Sequence, residues 1–198
     1  MCHGPLLGKI LLFSVPLILS GVLQLLFNAA GVVVVGRFAG SRSLAAVGST
    51  SSLINLLVNV FIGLSVGANV LIARYYGGGQ DREVEETVHT AMLLSFISGF
   101  FLCILGAALA KPLLELMGTP GDVLDKSVLY MRIYFLGMPA LLLYNFGSSI
   151  LRAIGDTQRP LYYLSAAGVI NVVLNLFFVI SLQMDVAGVA LATVLSQC

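Results

Sequence analysis

The sequence predicts an all-α polytopic integral membrane protein, and three observations carry that prediction. Of its 198 residues 59% are hydrophobic, only 10% are charged, and the mean hydropathy is +1.02. Soluble domains carry about 25% charged residues. A soluble fold of this size would still leave about 30% of its chain surface in water, more than the polar side chains here can supply. A bilayer removes the conflict, because it is itself an apolar solvent.

The elements follow in order from the length of each apolar run, since a hydrocarbon core of about 30 Å takes about 20 apolar residues as helix. Residues 10–36 form the first run. It is too long for a secretory signal core and contains Pro16, so it reads as a first membrane helix that also directs insertion. Residues 44–73 form the second, and both are long enough to cross with tilt. The third, 88–110, follows Glu83, Glu85 and Glu86, acids that suit the positive end of a helix dipole. The fourth, 130–150, contains Pro139, which removes a backbone donor and bends a helix as Pro16 would bend the first. The fifth is 161–182, and a sixth begins at Val186 with about half a span written by Cys198. The expectation is therefore five complete transmembrane helices plus a truncated sixth.

Between the runs stand GRFAGSRS, RYYGGGQDREVEE, the stretch from Lys111 to Asp122, LRAIGDTQRP, and Gln183 to Asp185. Each gathers Gly, Pro or charge, which favour turns and resist the hydrocarbon. Long runs rather than ten-residue alternating strands exclude a β-barrel. Charge leaves the orientation open: Lys9, Arg74, Arg82, Arg152 and Arg159 fall on one side, Arg37, Arg42, Lys111, Lys126 and Arg132 on the other. With no basic cluster and a net charge of +1, nucleic acid is excluded as a partner. Cys2, Cys103 and Cys198 are too scattered for a disulfide framework or a zinc site. No HExxH, P-loop or nucleophile–base motif is present, so neither an enzyme nor a bound cofactor is expected.

All nine acids lie outside the central spans. A mid-bilayer charge costs roughly 2.5–3.5 kcal/mol on insertion scales, so an intramembrane carboxylate would have marked an ion site. Neutral polar residues take their place: Gln24 and Asn28, then Asn55, Asn59 and Asn69, then Asn145, Ser148 and Ser149, then Asn171 and Asn175. Asn55/Asn59 and Asn171/Asn175 are spaced i, i+4, so each pair shares a helix face. Such faces should turn inward, to bond between helices at about 0.6 kcal/mol each or to line a wet cavity. The small-residue pairs Gly36/Gly40, Gly63/Gly67 and Gly188/Ala192 predict close helix approach. His89 and the tyrosines near the span ends read as interfacial residues.

Four segments together resemble the multidrug and toxic compound extrusion (MATE) family. They are FSVPLILSGVLQLLFNAAGVVVVGRFAG, LAAVGSTSSLINLLVNVFIGLSVGANVLIARYYGGG, YMRIYFLGMPALLLYNFGSSILRAIGDTQRPLYYL, and GVINVVLNLFFV followed by DVAGVALATVLSQ. Their order and spacing carry the resemblance over residues 7–198. It implies twelve helices in two six-helix lobes, with residues 1–198 as the N-terminal lobe and a C-terminal lobe as its partner. It further implies a multi-pass protein of the plasma membrane, the inner membrane in a bacterium, exporting small amphipathic organic molecules as an H⁺ or Na⁺ antiporter by alternating access. The family's N-lobe cation site uses an Asp of helix 1, an Asn and an Asp of helix 5 and a Thr of helix 6. The matching positions here are Gly31, Asn171, Asn175 and Thr193, with Asn28 placed near them. The Asn and Thr match; both acids are replaced. A lipid-linked flippase of the same superfamily and an inactive half-transporter are the alternatives, the first lacking cavity cations beyond Arg132.

Overall fold

The computed structural model describes residues 6–197; residues 1–5, with Cys2, and Cys198 lie outside the described residues. The helices are α1 (Leu6–Val34), α2 (Ser41–Gly77), α3 (Asp81–Leu116), α4 (Gly121–Leu136), α5 (Met138–Ala153), α6 (Gln158–Leu176) and α7 (Asp185–Gln197). One-turn π segments, Val35–Ala39 and Phe177–Ser181, close α1 and α6. Four helices are long and apolar enough to cross a bilayer, α4 and α5 together meet the same test as one broken span, and α7 is a shorter apolar helix.

The helices outrun the apolar runs that announce them. α2 has 37 residues and α3 has 36, which is about 55 Å of helix against a hydrocarbon core of about 30 Å. Hydropathy reports depth in the membrane, whereas the backbone ladder continues as long as its hydrogen bonds are met. α3 therefore takes in Asp81 and Glu83 in its first turn and runs through Pro112 to Leu116.

The fourth run departs from a single helix bent at Pro139. It is two helices, broken at Gly137 with a bend of 49°. Pro139 stands in the first turn of α5, where a missing N–H leaves no bond unmade. Pro16 stays inside α1, and the Ser20 hydroxyl donates to its carbonyl at 2.8 Å.

A core of Ile54, Leu102, Leu114, Met131, Phe135 and Leu142 joins α2, α3, α4 and α5. α1 and α6 pack along each other beside this group and join it chiefly through α7 and the two π segments. On α1 the inward face runs Pro16, Ser20, Leu23, Phe27, Gly31 and Val34, a helical stripe. The Phe27 ring lies on Gly168 of α6, where a Cβ would sit 1.9 Å from the ring.

Close helix approach occurs, but only partly where the GxxxG spacing put it. Gly63 and Gly67 are exposed, and a Cβ at either meets nothing within 4 Å. Gly40 instead makes the turn before α2 at φ +84, a region costly for other residues. Gly188 does pack tightly, with a virtual Cβ 2.9 Å from Phe178 Cβ. The closest backbone approach is Gly99 of α3, whose Cβ would stand 2.6 Å from Pro139 Cα.

Gly99→Ala should therefore push α3 and α5 apart and destabilise the protein by about 1–3 kcal/mol, as overpacking does. Gly63→Ala should be near neutral. Helical circular dichroism on heating the detergent-solubilised protein separates the two; equal midpoints would contradict this packing.

Candidate functional site

The α6–α7 interface holds a chain of neutral polar groups. Asn171 and Asn175 lie one turn apart on the face of α6 that meets α7, which presents Thr193 and Ser196. The Thr193 hydroxyl donates to the Val189 carbonyl at 3.0 Å and the Ser196 hydroxyl to the Thr193 carbonyl at 2.9 Å. A hydroxyl has one proton, so toward α6 both can only accept. Asn171 Nδ2 supplies the donor, at 3.1 Å to Ser196 Oγ and a long 3.5 Å to Thr193 Oγ1.

That orientation turns Asn171 Oδ1 toward Asn175, whose Nδ2 donates to it at 2.8 Å. The chain of bonds thus runs one way and ends with one atom unserved. Asn175 is 1% exposed, and its Oδ1 has no hydrogen-bond partner. A buried acceptor left so costs about 1–3 kcal/mol, which a donor or a cation would recover. No group in this chain of bonds titrates near neutral pH; what it offers is oxygen.

Gly31 lies on the α6-facing stripe of α1 and its Cβ position touches nothing of this network. Successive spans alternate in direction, so α1 and α6 run parallel, in register where Phe27 meets Gly168. One turn on, Gly31 stands at the height of Asn171 and Val172. A Cβ at Gly31 would meet nothing within 4 Å. Asn28 is exposed, since one residue past Phe27 turns it about 100° off the α6-facing stripe. The structure thus brings Asn171, Asn175 and Thr193 together, adds Ser196, and leaves Asn28 outside. Ser196 was legible as the i+3 neighbour of Thr193 on one helix face.

The other polar residues divide. Asn69 Nδ2 donates to the Ser149 carbonyl at 2.6 Å, and the Ser149 hydroxyl to Ser65 Oγ at 3.2 Å, joining α2 to α5. Asn145 bonds its own helix at the Leu141 carbonyl, 2.9 Å away. Asn55 and Asn59, expected to turn inward, are exposed. They lie in a stripe of small and polar residues along α2, with Gly48, Ser52, Gly63 and Gly67, all exposed. The apolar partners of α2 take its opposite face through Ala46, Thr50 and Ile54. Two open cavities, about 420 Å³ over Phe146 between α2 and α3 and about 570 Å³ at the α5–α6 turn, border other residues than the network.

At the far end of α7, Lys126 Nζ of α4 pairs with Asp185 Oδ2 and donates to Ser43 Oγ of α2 at 3.2 Å. The Ser43 hydroxyl in turn donates to Asp185 Oδ1. Burial alone would raise the Asp185 carboxyl, but bonds from Lys126 and Ser43, the Lys126 charge and the Val186 N–H outweigh it and hold the group below its ordinary value.

Residues 16–177 match the MatE family model. The probable multidrug resistance protein YoeA of Bacillus subtilis is 36% identical over 189 residues, covering 93% of this chain and 41% of that protein. The FAD transporter of Shewanella oneidensis is 29% identical over 202 residues, covering 98% and 44%. The solved outward-facing conformation of a multidrug resistance MATE family transporter superposes with a TM-score of 0.90 at 29% identity, over 96% of this chain and 42% of that one. A MOP superfamily transporter from Pyrococcus furiosus gives the same TM-score, identity and coverage. The chain spans about two fifths of the length of these relatives.

Within the network Asn171 serves two partners groups at once, so Asn171→Ala leaves Asn175 Nδ2 as well as its Oδ1 unpaired. It should cost about 1–3 kcal/mol, and Thr193→Ala well under half of that, because its contact with Asn171 is long. Thermal unfolding of the two purified variants checks the order, and a larger loss for Thr193→Ala would refute this bonding scheme.

Proposed function

The chain belongs to the MatE family of multidrug transporters, and on that footing we propose that it forms the first lobe of a secondary exporter. The whole protein would expel amphipathic organic molecules, many of them cationic, in exchange for H⁺ or Na⁺. Alternating access between two rigid lobes provides the path. The exposed polar stripe of α2 suits a surface turned toward a second lobe and the substrate path, since in lipid it would be poorly solvated. Hydrophobic walls with few fixed polar groups suit varied substrates.

The observation that carries the coupling part of this reading is the unpaired Asn175 Oδ1, buried in the α6–α7 network. A site of Asn and hydroxyl oxygens cannot hold a proton of its own near neutral pH. It can give neutral oxygen ligands to a Na⁺, or serve as the polar lining of a lobe cavity. Coupling by protons would then rest on the second lobe. Arg132 is exposed and donates to the Ala107 carbonyl at 3.3 Å, so it brings no cation to this network for a lipid phosphate.

The test restores the acid. Gly31→Asp, in a two-lobe protein carrying this lobe, meets no steric barrier at its Cβ. It should raise proton-dependent export by about fivefold or more, the lower end of ordinary coupling energies. Efflux of a cationic dye and of FAD from proteoliposomes under an imposed pH gradient measures it. No gain, at equal protein content in the membrane, would sink the residual cation site.

A further inference from the structure

We infer that Asp185 is a positioning residue: its contacts with Lys126 and Ser43 set where α7 stands, and through α7 they set Thr193 and Ser196 opposite Asn171. The importance of that placement for transport rests on the function proposed above; the placement itself is a matter of geometry.

The pair is unlike the other ion pairs among the described residues. Those of Arg82, His89, Lys111 and Arg159 each join residues three or four apart. Lys126–Asp185 spans 59 positions, and Ser43 ties the same carboxylate to a third helix across 142. Both ionic side chains are only partly exposed, at 38% and 35%, so solvent screens them less than a surface pair.

It also acts where the backbone by itself specifies little. A π segment ends α6, and Gln183 and Asp185 then take φ of +50 and +49, the left-handed region that non-glycine residues rarely occupy. A connection so irregular does not propagate helical register from α6 into α7. Two backbone bonds, Leu182 N–H to the Phe177 carbonyl and Met184 N–H to the Phe178 carbonyl, tie it to the end of α6, and side-chain contacts fix the register of α7 beyond them.

Sideways movement of α7 is closed off by packing. A Cβ at Gly137 would lie 2.9 Å from Val194 Cγ2, and one at Gly188 2.9 Å from Phe178 Cβ. Sliding and rotation about its own axis are the freedoms that remain. Asp185 stands at its first residue and Thr193 eight residues on, about 12 Å along a stiff rod. A shift at the clamp is therefore delivered to the network nearly undiminished.

The experiment reads position directly. In the full chain with Cys2, Cys103 and Cys198 replaced by serine, reconstituted in liposomes, Asn171→Cys and Ser196→Cys are paired across α6 and α7. Ser65→Cys and Ser149→Cys form the control pair across α2 and α5. A short bifunctional thiosulfonate reports each proximity by its initial cross-linking rate. Adding Asp185→Asn should slow the α6–α7 pair about fivefold, the factor equivalent to about 1 kcal/mol, and leave the control pair unchanged. The exchanged variant, Lys126→Asp with Asp185→Lys, should recover most of the rate. If Asp185→Asn does not accumulate in membranes, Ser43→Ala carries the same comparison. An unchanged α6–α7 rate, or equal slowing of both pairs, overturns the positioning role. Because transport is not read, failure of the cation-site proposal would leave this result standing, and the reverse.

Discussion

α7 is the element on which the rest of the lobe depends, because it joins two packed groups that otherwise barely meet. The first is the core of α2 to α5; the second is α1 lying along α6. Asp185 finds polar partners on α2 and α4, Thr193 and Ser196 find one on α6, and the helix is buried between them through Val186, Val189, Ala190 and Ala192. A helix so held transmits displacement between its neighbours.

The same economy of polar groups governs the membrane interior. Nothing charged lies in the middle of the spans, so specificity between helices comes from amides and hydroxyls that close on backbone carbonyls. Ser65, Ser95, Thr50 and Thr193 all give their protons to a carbonyl one turn earlier. Each is thereby turned into an acceptor for whatever approaches from another helix. In two places an amide takes that role or answers it: Asn69 against α5, and Asn171 against α7. Among the described residues, only the second leaves a buried side-chain oxygen over.

Glycine works here by letting one backbone reach another rather than by spacing alone. Gly99 admits Pro139, and Gly106 admits the Phe135 ring, where a Cβ would stand 2.2 Å from Cγ. Both contacts fall on the two sides of the break at Gly137, so α3 receives the bent span along a groove cut by its own glycines. Neither glycine belongs to a GxxxG pair. Gly63 and Gly67, which do, face outward. The spacing marks a smooth face and says nothing about whether a neighbour within this chain uses it.

By itself the sequence determined the fold class, the succession of membrane-length apolar runs and the helix face shared by Asn171 and Asn175, because these follow from transfer free energy and from the 3.6-residue period. The family resemblance, rather than the residues alone, carries the expectation that Gly31 and Asn175 stand where a cation site would have acids. Only the tertiary structure decided that the fourth span breaks at Gly137, that Asn28 and Asn55 face outward, and that Asn175 keeps an unpaired oxygen. It alone joined Ser43, Lys126 and Asp185, which lie on three helices far apart in the chain. The physical reason is the same in each instance. Periodicity says which residues share a face, but which neighbour covers that face depends on contacts between helices far apart in the chain, and those leave no local mark in composition or spacing.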